Sequence, residues 1–299
     1  MYFLVDNGCD PSFFLLQYVG ERNKKVIDFL FKKGANVDYM DSDRDTALLL
    51  ASIDGNTDIV RMLLDKGANI NIQNNNGRTA LIFASFFGHK EIVRILLNKG
   101  AKTDDQDKDG KTALILASVE GHKDIVTMLL DKGAKIDNQD KEGMTALLWA
   151  SKHGNTEIIT ILLEKGANID IQDKNGNTAL ILAFGERHEE TARMLLIKGA
   201  NTNLQNKYGH NALMTASSYS NAFIITMLLI KGTNIDHQDN DGNTALILAS
   251  EYGSTEIVRL LLNKRAKRNI RDKDGNTALM IASSGGYTDI VKLLQEYGA

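Results

Sequence analysis

Residues 107–134 read DKDGKTALILASVEGHKDIVTMLLDKGA, and this stretch decides the fold. Asp107 opens a four-residue turn that Gly110 closes, because an Asp side chain bonds to the backbone of its own turn and Gly tolerates a positive φ. Thr112 is a typical helix N-cap, since its hydroxyl accepts a hydrogen bond from the first helical turn. The apolar residues after it predict a short first helix that ends near Gly121.

A second amphipathic helix follows in the same stretch. The apolar residues between 125 and 130 lie at spacings that fill one helical face. Lys132 places a cation at the negative end of this helix, and Gly133 is free to adopt the left-handed conformation that terminates it. The stretch therefore predicts a turn, a helix, a second turn and a second helix.

This pattern returns every 33 residues with no insertion or deletion. Counted from residue 41, the chain contains seven full units and an eighth of 28 residues. One helix pair cannot bury its apolar face alone, so the units are expected to stack. The tripeptide Thr-Ala-Leu, with Asn in place of Thr once, begins at Thr46, Thr79, Thr112, Thr145, Thr178, Asn211, Thr244 and Thr277.

A 33-residue unit with Asp-x-x-Gly-x-Thr-x-Leu, Gly-His, Ile-Val, Leu-Leu and Gly-Ala resembles the ankyrin repeat. The resemblance implies an all-α fold, an ankyrin-repeat solenoid of stacked helix-turn-helix units with β-hairpin fingers. It covers residues 41–299 as eight repeats, the last truncated and capping, with residues 1–40 as divergent N-terminal capping repeats of one continuous elongated domain. The family's Thr-Pro-Leu-His is here Thr-Ala-Leu followed by Ile, Leu or Met, which accounts for the single Pro of the chain.

The N-terminal segment departs from the period. Gly8 lies only 26 residues before Gly34, although both resemble the Gly that ends a second helix. We therefore expect a first helix in this segment that is shorter by about one turn, and no finger.

Composition and charge exclude several classes of protein. The one Cys, Cys9, cannot form an internal disulfide or a Cys-rich zinc site, so a disulfide-stapled secreted scaffold is excluded. No apolar run approaches the roughly 18 to 20 residues that span a bilayer, and the first six residues do not form a secretory signal. With 35 Lys and Arg against 38 Asp and Glu, the net charge of −3 gives no general attraction to nucleic acid or anionic membranes. We expect a soluble cytoplasmic protein without a membrane or nucleic-acid partner.

The search for an enzyme is negative. His89, His122 and His188 share one column before the second helix, where repetition implies a structural capping role. The sequence has no phosphate-cradling Gly loop and no nucleophile elbow. Most acidic residues occupy fixed columns on turn tips, where solvated turns are the expected role. We predict no catalytic residue, no metal site, no cofactor and no small-molecule substrate.

A protein-binding surface has better support. In ankyrin-like stacks, partners usually bind the concave groove made by the turn tips and the exposed face of the first helix, as the resemblance implies. Several of the few aromatic residues lie in the two variable columns that end the first helix, and aromatic residues near Arg are typical of protein hot spots. We expect one protein partner for an otherwise monomeric chain, with Trp149 and Phe87 also candidates for partial burial in the core. The predicted contact residues are Arg78, Phe86, Phe87, Lys111, Val119, Met144, Trp149, Lys152, His153, Tyr208, Tyr219 and Tyr252.

Two further surfaces stand out. Ile197 and Ile230 occupy a column that is polar in other units. We interpret them as sequence drift with local repacking, with a functional contact through a small apolar patch on the convex side as the alternative. Residues 264–273 carry six cations. We interpret this run as a solvated loop because Asp272 and Asp274 flank it, with a nucleic-acid or nuclear-import contact as the alternative.

Residue usage bears on the source. Lysine outnumbers arginine by 24 to 11, and Asn and Ile are abundant, as expected of an AT-rich genome. Together with the Thr-Ala-Leu form of the repeat, this resembles the large ankyrin-repeat families of amoeba-infecting giant viruses, with protozoan and intracellular-bacterial proteins as alternatives. The resemblance implies an adaptor in host cytoplasm, with the nucleus as the alternative compartment.

Three other roles remain open beside the adaptor. The chain is a candidate substrate of an asparaginyl hydroxylase, because Asn71 and Asn203 occupy the hairpin position that is modified in related repeats. It is also a candidate substrate-recruiting part of a ubiquitin-ligase assembly. The last alternative is a repeat protein with no fixed partner.

Overall fold

The computed structural model describes residues 2–218 and 221–298, which contain nineteen α-helices and no β-strand. The predicted all-α repeat fold is thereby confirmed. The chain divides into two compact units, residues 1–146 with 160–167 and residues 147–159 with 168–299. The division falls within the fourth repeat, and the prediction of one continuous domain stays a prediction.

Each repeat contributes a short first helix and a nine-residue second helix. The helices are α1 (Tyr2–Asp6), α2 (Ser12–Gly20), α3 (Lys24–Lys32), α4 (Ala47–Ile53), α5 (Thr57–Asp65), α6 (Ala80–Phe86), α7 (Lys90–Asn98), α8 (Ala113–Val119), α9 (Lys123–Asp131), α10 (Ala146–His153), α11 (Thr156–Glu164), α12 (Ala179–Gly185), α13 (Glu189–Ile197), α14 (Ala212–Ser217), α15 (Ala222–Ile230), α16 (Ala245–Glu251), α17 (Thr255–Asn263), α18 (Ala278–Ser284) and α19 (Thr288–Glu296).

The Thr-Ala-Leu motif starts the first helices as predicted. Thr112 Oγ1 accepts a hydrogen bond from the main-chain N–H of Ile115 at 3.3 Å. Asn211, the exception to Thr, caps its helix in the same way, because its Oδ1 accepts from the N–H of Met214 at 3.0 Å. Each cap satisfies an N–H group that the helix itself leaves unpaired, which is worth about 1 kcal/mol.

Helices of one kind pack in rows. In the first unit α6 contacts α4 and α8, and in the second unit α14 contacts α12 and α16. Second helices pack on second helices in the same order. The Ala in the middle of each first helix, such as Ala84 and Ala249, is fully buried, and its small side chain lets neighbouring first helices approach closely. The core of each unit therefore lies between two rows of helices, and each repeat depends on its neighbours.

The connections between repeats differ from the predicted β-hairpin fingers. Among the described residues, the only isolated β-bridge joins Met40 and Thr46. Main-chain and side-chain hydrogen bonds hold the turns together. The N–H of Asp107 donates to the carbonyl oxygen of Lys111 at 3.0 Å, and Gln106 Nε2 donates to the carbonyl oxygens of Gly110 at 2.8 Å and of Gln139, in the next repeat, at 3.2 Å. The connections are therefore hydrogen-bonded turns linked from repeat to repeat, without strand pairing along their limbs.

The three repeated His residues join one repeat to another. His122 Nε2 lies 3.1 Å from the carbonyl oxygen of Phe86, at the end of the preceding repeat's first helix. The ring makes no hydrogen bond that caps its own helix. The role of these His residues is structural, as predicted. However, each ring binds a carbonyl at the end of the first helix of the preceding repeat and does not cap the helix that follows it. The equivalent contacts are His89 to Ile53 O at 2.9 Å and His188 to Lys152 O at 3.1 Å.

The N-terminal segment lacks a finger, as predicted, but its first helix is not shortened. Helix α2 has nine residues, against seven in α4. The chain enters α2 directly through Asp10, whose Oδ1 accepts from the N–H of Ser12 at 2.8 Å, and Pro11, whose φ of −63° suits a helix start. The spacing of 26 residues is shorter than the 33-residue period because residues of the turn are absent, whereas helix α2 has its full length.

Candidate functional site

In each unit, the turn tips and the last turn of the first helices form what we call the first-helix face, and most of the predicted contact residues belong to it. Phe87, Tyr208 and Tyr252 are 46%, 58% and 57% exposed, and His153 is also exposed. Tyr219 lies outside the described residues. The half-buried members are Arg78, Phe86, Lys111, Val119, Trp149 and Lys152.

In the first unit, Arg78 connects a turn tip to the aromatic residues of α6. Its Nε donates to Oδ2 of Asp107 at 3.3 Å, and the Asp107 side chain is only 2% exposed. The guanidinium also lies over the rings of Phe83 and Phe86, at 5.6 Å and 5.9 Å from their centroids. The other carboxylate oxygen of Asp107 accepts two main-chain N–H groups of its own turn. The position of the Arg78 side chain is therefore fixed on two sides. On one side is the Asp107 carboxylate, which its own turn holds in place, and on the other are the rings of Phe83 and Phe86.

Phe87 is held on two sides and open on the third. Its ring meets Phe86 edge to face at 4.9 Å and stacks on His89 at 6.0 Å. His89 is itself fixed by its bond to the Ile53 carbonyl. A large apolar ring that is already immobilised loses little conformational entropy when a partner covers it. We call Arg78, Phe86 and Phe87 the arginine–aromatic cluster.

In the second unit, Trp149 is surrounded by cationic and aromatic side chains of its own helix. Lys152 Nζ lies 5.5 Å from the indole centroid, and the His153 ring stacks on the indole at 5.7 Å. His153 Nδ1 also lies 2.9 Å from the Trp149 carbonyl oxygen. Trp149 is half-buried, so it belongs partly to the core and partly to the surface.

Tyr208 and its neighbours repeat the Arg78 arrangement with different chemistry. His210 Nε2 lies 3.0 Å from Oδ2 of Asp239, whose side chain is 2% exposed. Lys207 Nζ lies 5.1 Å from the centroid of the Tyr208 ring. The same column of the repeat therefore places Arg78 or His210 against the buried turn carboxylate of the following repeat.

Met144 does not reach the first-helix face. Its side chain is 5% exposed, although its column carries half-buried polar residues such as Arg78 and His210 in other repeats. An apolar, flexible side chain at this column is more stable folded under the turn than in water. The expected contact residue is therefore a support beneath the surface.

Asn71 and Asn203 take part in the link between repeats. Asn71 Oδ1 accepts the main-chain N–H of Lys102 at 3.0 Å, and Asn203 Oδ1 accepts that of Asn234 at 3.0 Å. Asp104, in the same column, makes this bond to Lys135 at 2.9 Å. Both Asn side chains thus have a structural role that Asp fills elsewhere, and their hydroxylation stays a prediction.

A family model described as ankyrin repeats in three copies matches residues 1–74, 69–140, 134–206, 169–239 and 213–299. The chain belongs to the ankyrin-repeat family. Ankyrin repeats are generally protein–protein interaction modules, and the family is typically non-catalytic. A comparison with curated protein sequences finds no significant match.

The second helices of this ankyrin-repeat chain carry another apolar surface. Ile197 and Ile230 are 61% and 76% exposed, and their helices α13 and α15 pack together. Phe223, which was not among the predicted contact residues, is 61% exposed at the start of α15. The signal was present, because the six nearest equivalents of Phe223 are all acidic. These equivalents are Glu91, Asp124, Glu157, Glu190, Glu256 and Asp289.

Ion pairs connect second helices in the first unit. Lys24 pairs with Asp58, and Lys90 pairs with Asp124 at 2.5 Å. In both cases the hydrogen bond from the lysine ammonium, followed by its charge, lowers the pKa of the carboxyl. These pairs are exposed and screened by salt, so they organise the surface more than they stabilise the ankyrin repeats.

Residues 2–218 and 221–298 contain no group of three or more His, Cys, Asp or Glu side chains that is placed to hold a metal ion. Within the same ranges, no helix has the length and apolar character needed to cross a bilayer.

Proposed function

We propose that this ankyrin-repeat protein is a non-catalytic adaptor that binds a protein partner through its first-helix face. The arginine–aromatic cluster is the proposed anchor of that contact. The observation that supports it best is the fixed position of Arg78 between Asp107 and two rings, beside the partly exposed Phe87.

The physical argument is preorganisation. Residues that dominate protein interfaces are often Arg and aromatic side chains, and they contribute most when they need not be ordered on binding. Arg78 retains donors beyond its Nε for a partner carboxylate or carbonyl oxygen, since a guanidinium carries five. Phe87 offers an apolar surface next to those donors. A partner segment that carries an apolar side chain beside a hydrogen-bond acceptor could contact the Phe87 ring and the Arg78 donors together.

The proposed place of action is host cytoplasm. The excess of Lys over Arg and the Thr-Ala-Leu form of the repeat support an origin among giant-virus ankyrin families. A viral ankyrin adaptor acts by engaging host proteins, so amoebal lysate is the appropriate source of partners.

The test is quantitative affinity purification from amoebal lysate with wild-type protein and two single variants. Phe87→Ala removes the exposed ring of the cluster, and Phe223→Ala removes an exposed ring from the second-helix surface. The two variants are matched, because each truncates one exposed Phe. Loss of a hot-spot ring costs about 2 kcal/mol, so the partner's apparent affinity should fall roughly 30-fold with Phe87→Ala.

We expect the partner recovered with wild-type protein to be retained by Phe223→Ala and depleted by Phe87→Ala. Equal recovery with wild type and Phe87→Ala would remove the cluster as the anchor. Depletion by Phe223→Ala alone would move the contact to the second helices. Circular dichroism melting of both variants controls for folding.

A further inference from the structure

A cleft lies beside the turn that follows α17. It has a volume of about 720 Å³ and is lined by Arg265, Lys267, Arg268, Asn269 and Tyr297, with small and apolar residues completing the wall. The Tyr297 hydroxyl hydrogen-bonds to the Asn263 side chain, which fixes the position of the ring. The cleft therefore combines three cations, the amides of Asn263 and Asn269, and an oriented aromatic ring.

The acidic residues that flank this basic run in the sequence do not reach the cleft. Asp272 accepts from the main-chain N–H of Asn276 at 2.7 Å and from its side-chain amide at 3.2 Å. Asp272 and Asp274 line a separate groove, together with Asp241 and Glu251. None of the described residues that line the cleft is acidic. The solvated-loop interpretation rested on neighbouring acids, and the fold directs those acids elsewhere.

Two of the three cations depart from the repeat. Arg265 occupies the column of the closing Gly, which is Gly at 67, 100, 133, 166, 199 and 232. Its φ is +66°, in the region that favours glycine. Arg268 occupies a column that is otherwise Val, Ile or Thr, as at Ile235. Helix capping explains a Lys at 264, as in most repeats, but it does not explain two additional arginines that converge on one cleft.

The charge balance of the cleft is positive. Lys267 is partly compensated by Asp236, at 3.8 Å, whereas the guanidinium groups of Arg265 and Arg268 have no ion-pair or hydrogen-bond partner among the described residues. The negative ends of α17 and α19 lie nearby and oppose an anion by about half a charge each. Main-chain N–H groups of Lys264 and Ala266 already cap the last carbonyls of α17, which weakens that opposition. Within residues 2–218 and 221–298, the charges of these two guanidiniums outweigh it.

We propose that this cleft binds a small soluble polyphosphate, a molecule with two or more linked or adjacent phosphate groups. Arg265 and Arg268 supply planar, bidentate donors suited to phosphate oxygens, and Lys267 adds a point charge. Asn269 and the Tyr297 ring are available to the organic part of the ligand. The neighbouring groove of Asp241, Glu251 and Asp274 interrupts any longer basic track, so a nucleic-acid strand fits the surface less well.

The test is titration calorimetry of the full chain with inorganic tripolyphosphate at low salt. Arg265→Gly and Arg268→Ile each install the residue that other repeats carry at that column, so both variants should fold at least as well as wild type. Arg265→Gly should even raise Tm, because it removes a side chain from a positive φ. Lys231→Ala is the matched control, since Lys231 is an exposed cation that follows α15 as Lys264 follows α17.

The expected result is saturable binding of one tripolyphosphate per chain, weakened at least tenfold by each arginine variant and less than twofold by Lys231→Ala. Co-sedimentation with vesicles that contain a bisphosphorylated inositol lipid distinguishes a headgroup from a free polyphosphate, and absence of co-sedimentation is expected. Unsaturable binding, equal weakening by Lys231→Ala, retention on those vesicles, or tighter binding of a single-stranded DNA 12-mer than of tripolyphosphate would overturn the proposal. Failure here leaves the protein-binding proposal intact, because Phe87 has no part in the cleft.

Discussion

At the scale of single residues, the residue in the column of Arg78 determines which turn carboxylate receives a side-chain hydrogen bond or ion pair. Arg78 and His210 reach forward to the carboxylate of the next repeat. Asn177 and Asn243 instead donate to the carboxylate of their own turn, at 3.0 Å and 3.3 Å. Asp45 is the exception, because it brings a third carboxylate to a turn that already contains two.

Asp45→Asn is expected to stabilise the protein. Burial raises the pKa of Asp45, and the charges of Asp41 and Asp43 raise it further, against the opposing hydrogen bond from Asn74. An Asn at this column donates to its own turn in other repeats. We expect Tm to rise by about 1 to 2 °C at pH 7 in a thermal melt.

The pH dependence supplies the control for this variant. A carboxyl whose pKa is higher in the folded state than in the unfolded state destabilises the fold at any pH where it is ionised. This penalty disappears as the pH falls from above the folded-state pKa to below the unfolded-state pKa. The advantage of Asp45→Asn should therefore shrink between pH 7 and pH 3.5. An advantage that is unchanged at low pH would show that the charge is not its cause.

Thr191→Ile is a second stabilising change. Thr191 is 1% exposed, and its hydroxyl is buried without a hydrogen-bond partner. The same column of α5, α7, α9, α15 and α17 carries Ile. Replacing an unsatisfied buried hydroxyl with an apolar group should stabilise folding by about 1 to 2 kcal/mol in urea denaturation. Ile125→Thr is the reverse change in α9 and should cost a similar amount, and a destabilised Thr191→Ile would contradict the interpretation.

At the scale of helices and turns, two glycines differ in whether the fold requires them. Gly88 has a φ of +76°, and a Cβ there would lie 2.6 Å from the ring of His122, which is held by the Phe86 carbonyl. Gly185 ends α12 with nothing within 4 Å of its would-be Cβ. The first glycine is required by the contact between repeats, and the second is not.

Gly88→Ala should therefore destabilise the protein by about 2 kcal/mol or more, because it combines an unfavourable φ with displacement of a bonded His. Gly185→Ala should be neutral or stabilising by up to about 1 kcal/mol, since Ala is the better helix former. Parallel urea denaturation curves compare the two. Similar losses from both changes would indicate that His122 does not constrain Gly88.

The helices were predictable from local signals, and the contacts between repeats were not. Thr112 and Gly133 mark helix ends by their own chemistry, so the boundaries follow from the sequence. The direction of the His122 ring and the bond from Gln106 to the Gln139 carbonyl depend on atoms one repeat away. The burial of Met144 and the exposure of Phe223 have the same origin, because the partner surface of a column is set by the neighbouring repeat.

At the scale of the whole molecule, stability is the sum of repeat stabilities and of the contacts between neighbours. Helix α13 carries Thr191 and Ala192 where α17 carries Ile257 and Val258. We therefore expect amide hydrogen exchange in α13 to be faster than in α17, and Thr191→Ile to slow exchange in α13 selectively. Equal protection of the two helices in wild-type protein would mean that these substitutions do not weaken the repeat.

The candidate binding surface was predictable in outline. Phe86, Phe87 and Tyr252 stand out because aromatic residues are rare and share variable columns. The fixed geometry of Arg78 was not predictable, since it requires a carboxylate from the following repeat and two rings from its own. The preorganisation of an exposed residue therefore depends on the neighbouring repeat as well as on its own repeat.

The adaptor function proposed above requires that a partner protein contact the first-helix face at Phe87. Site-specific photo-crosslinking tests it most directly, with a benzophenone amino acid placed at residue 87 in one variant and at residue 223 in another. We expect a crosslinked partner from position 87 and none from position 223. Crosslinking of the partner from position 223 alone would contradict it.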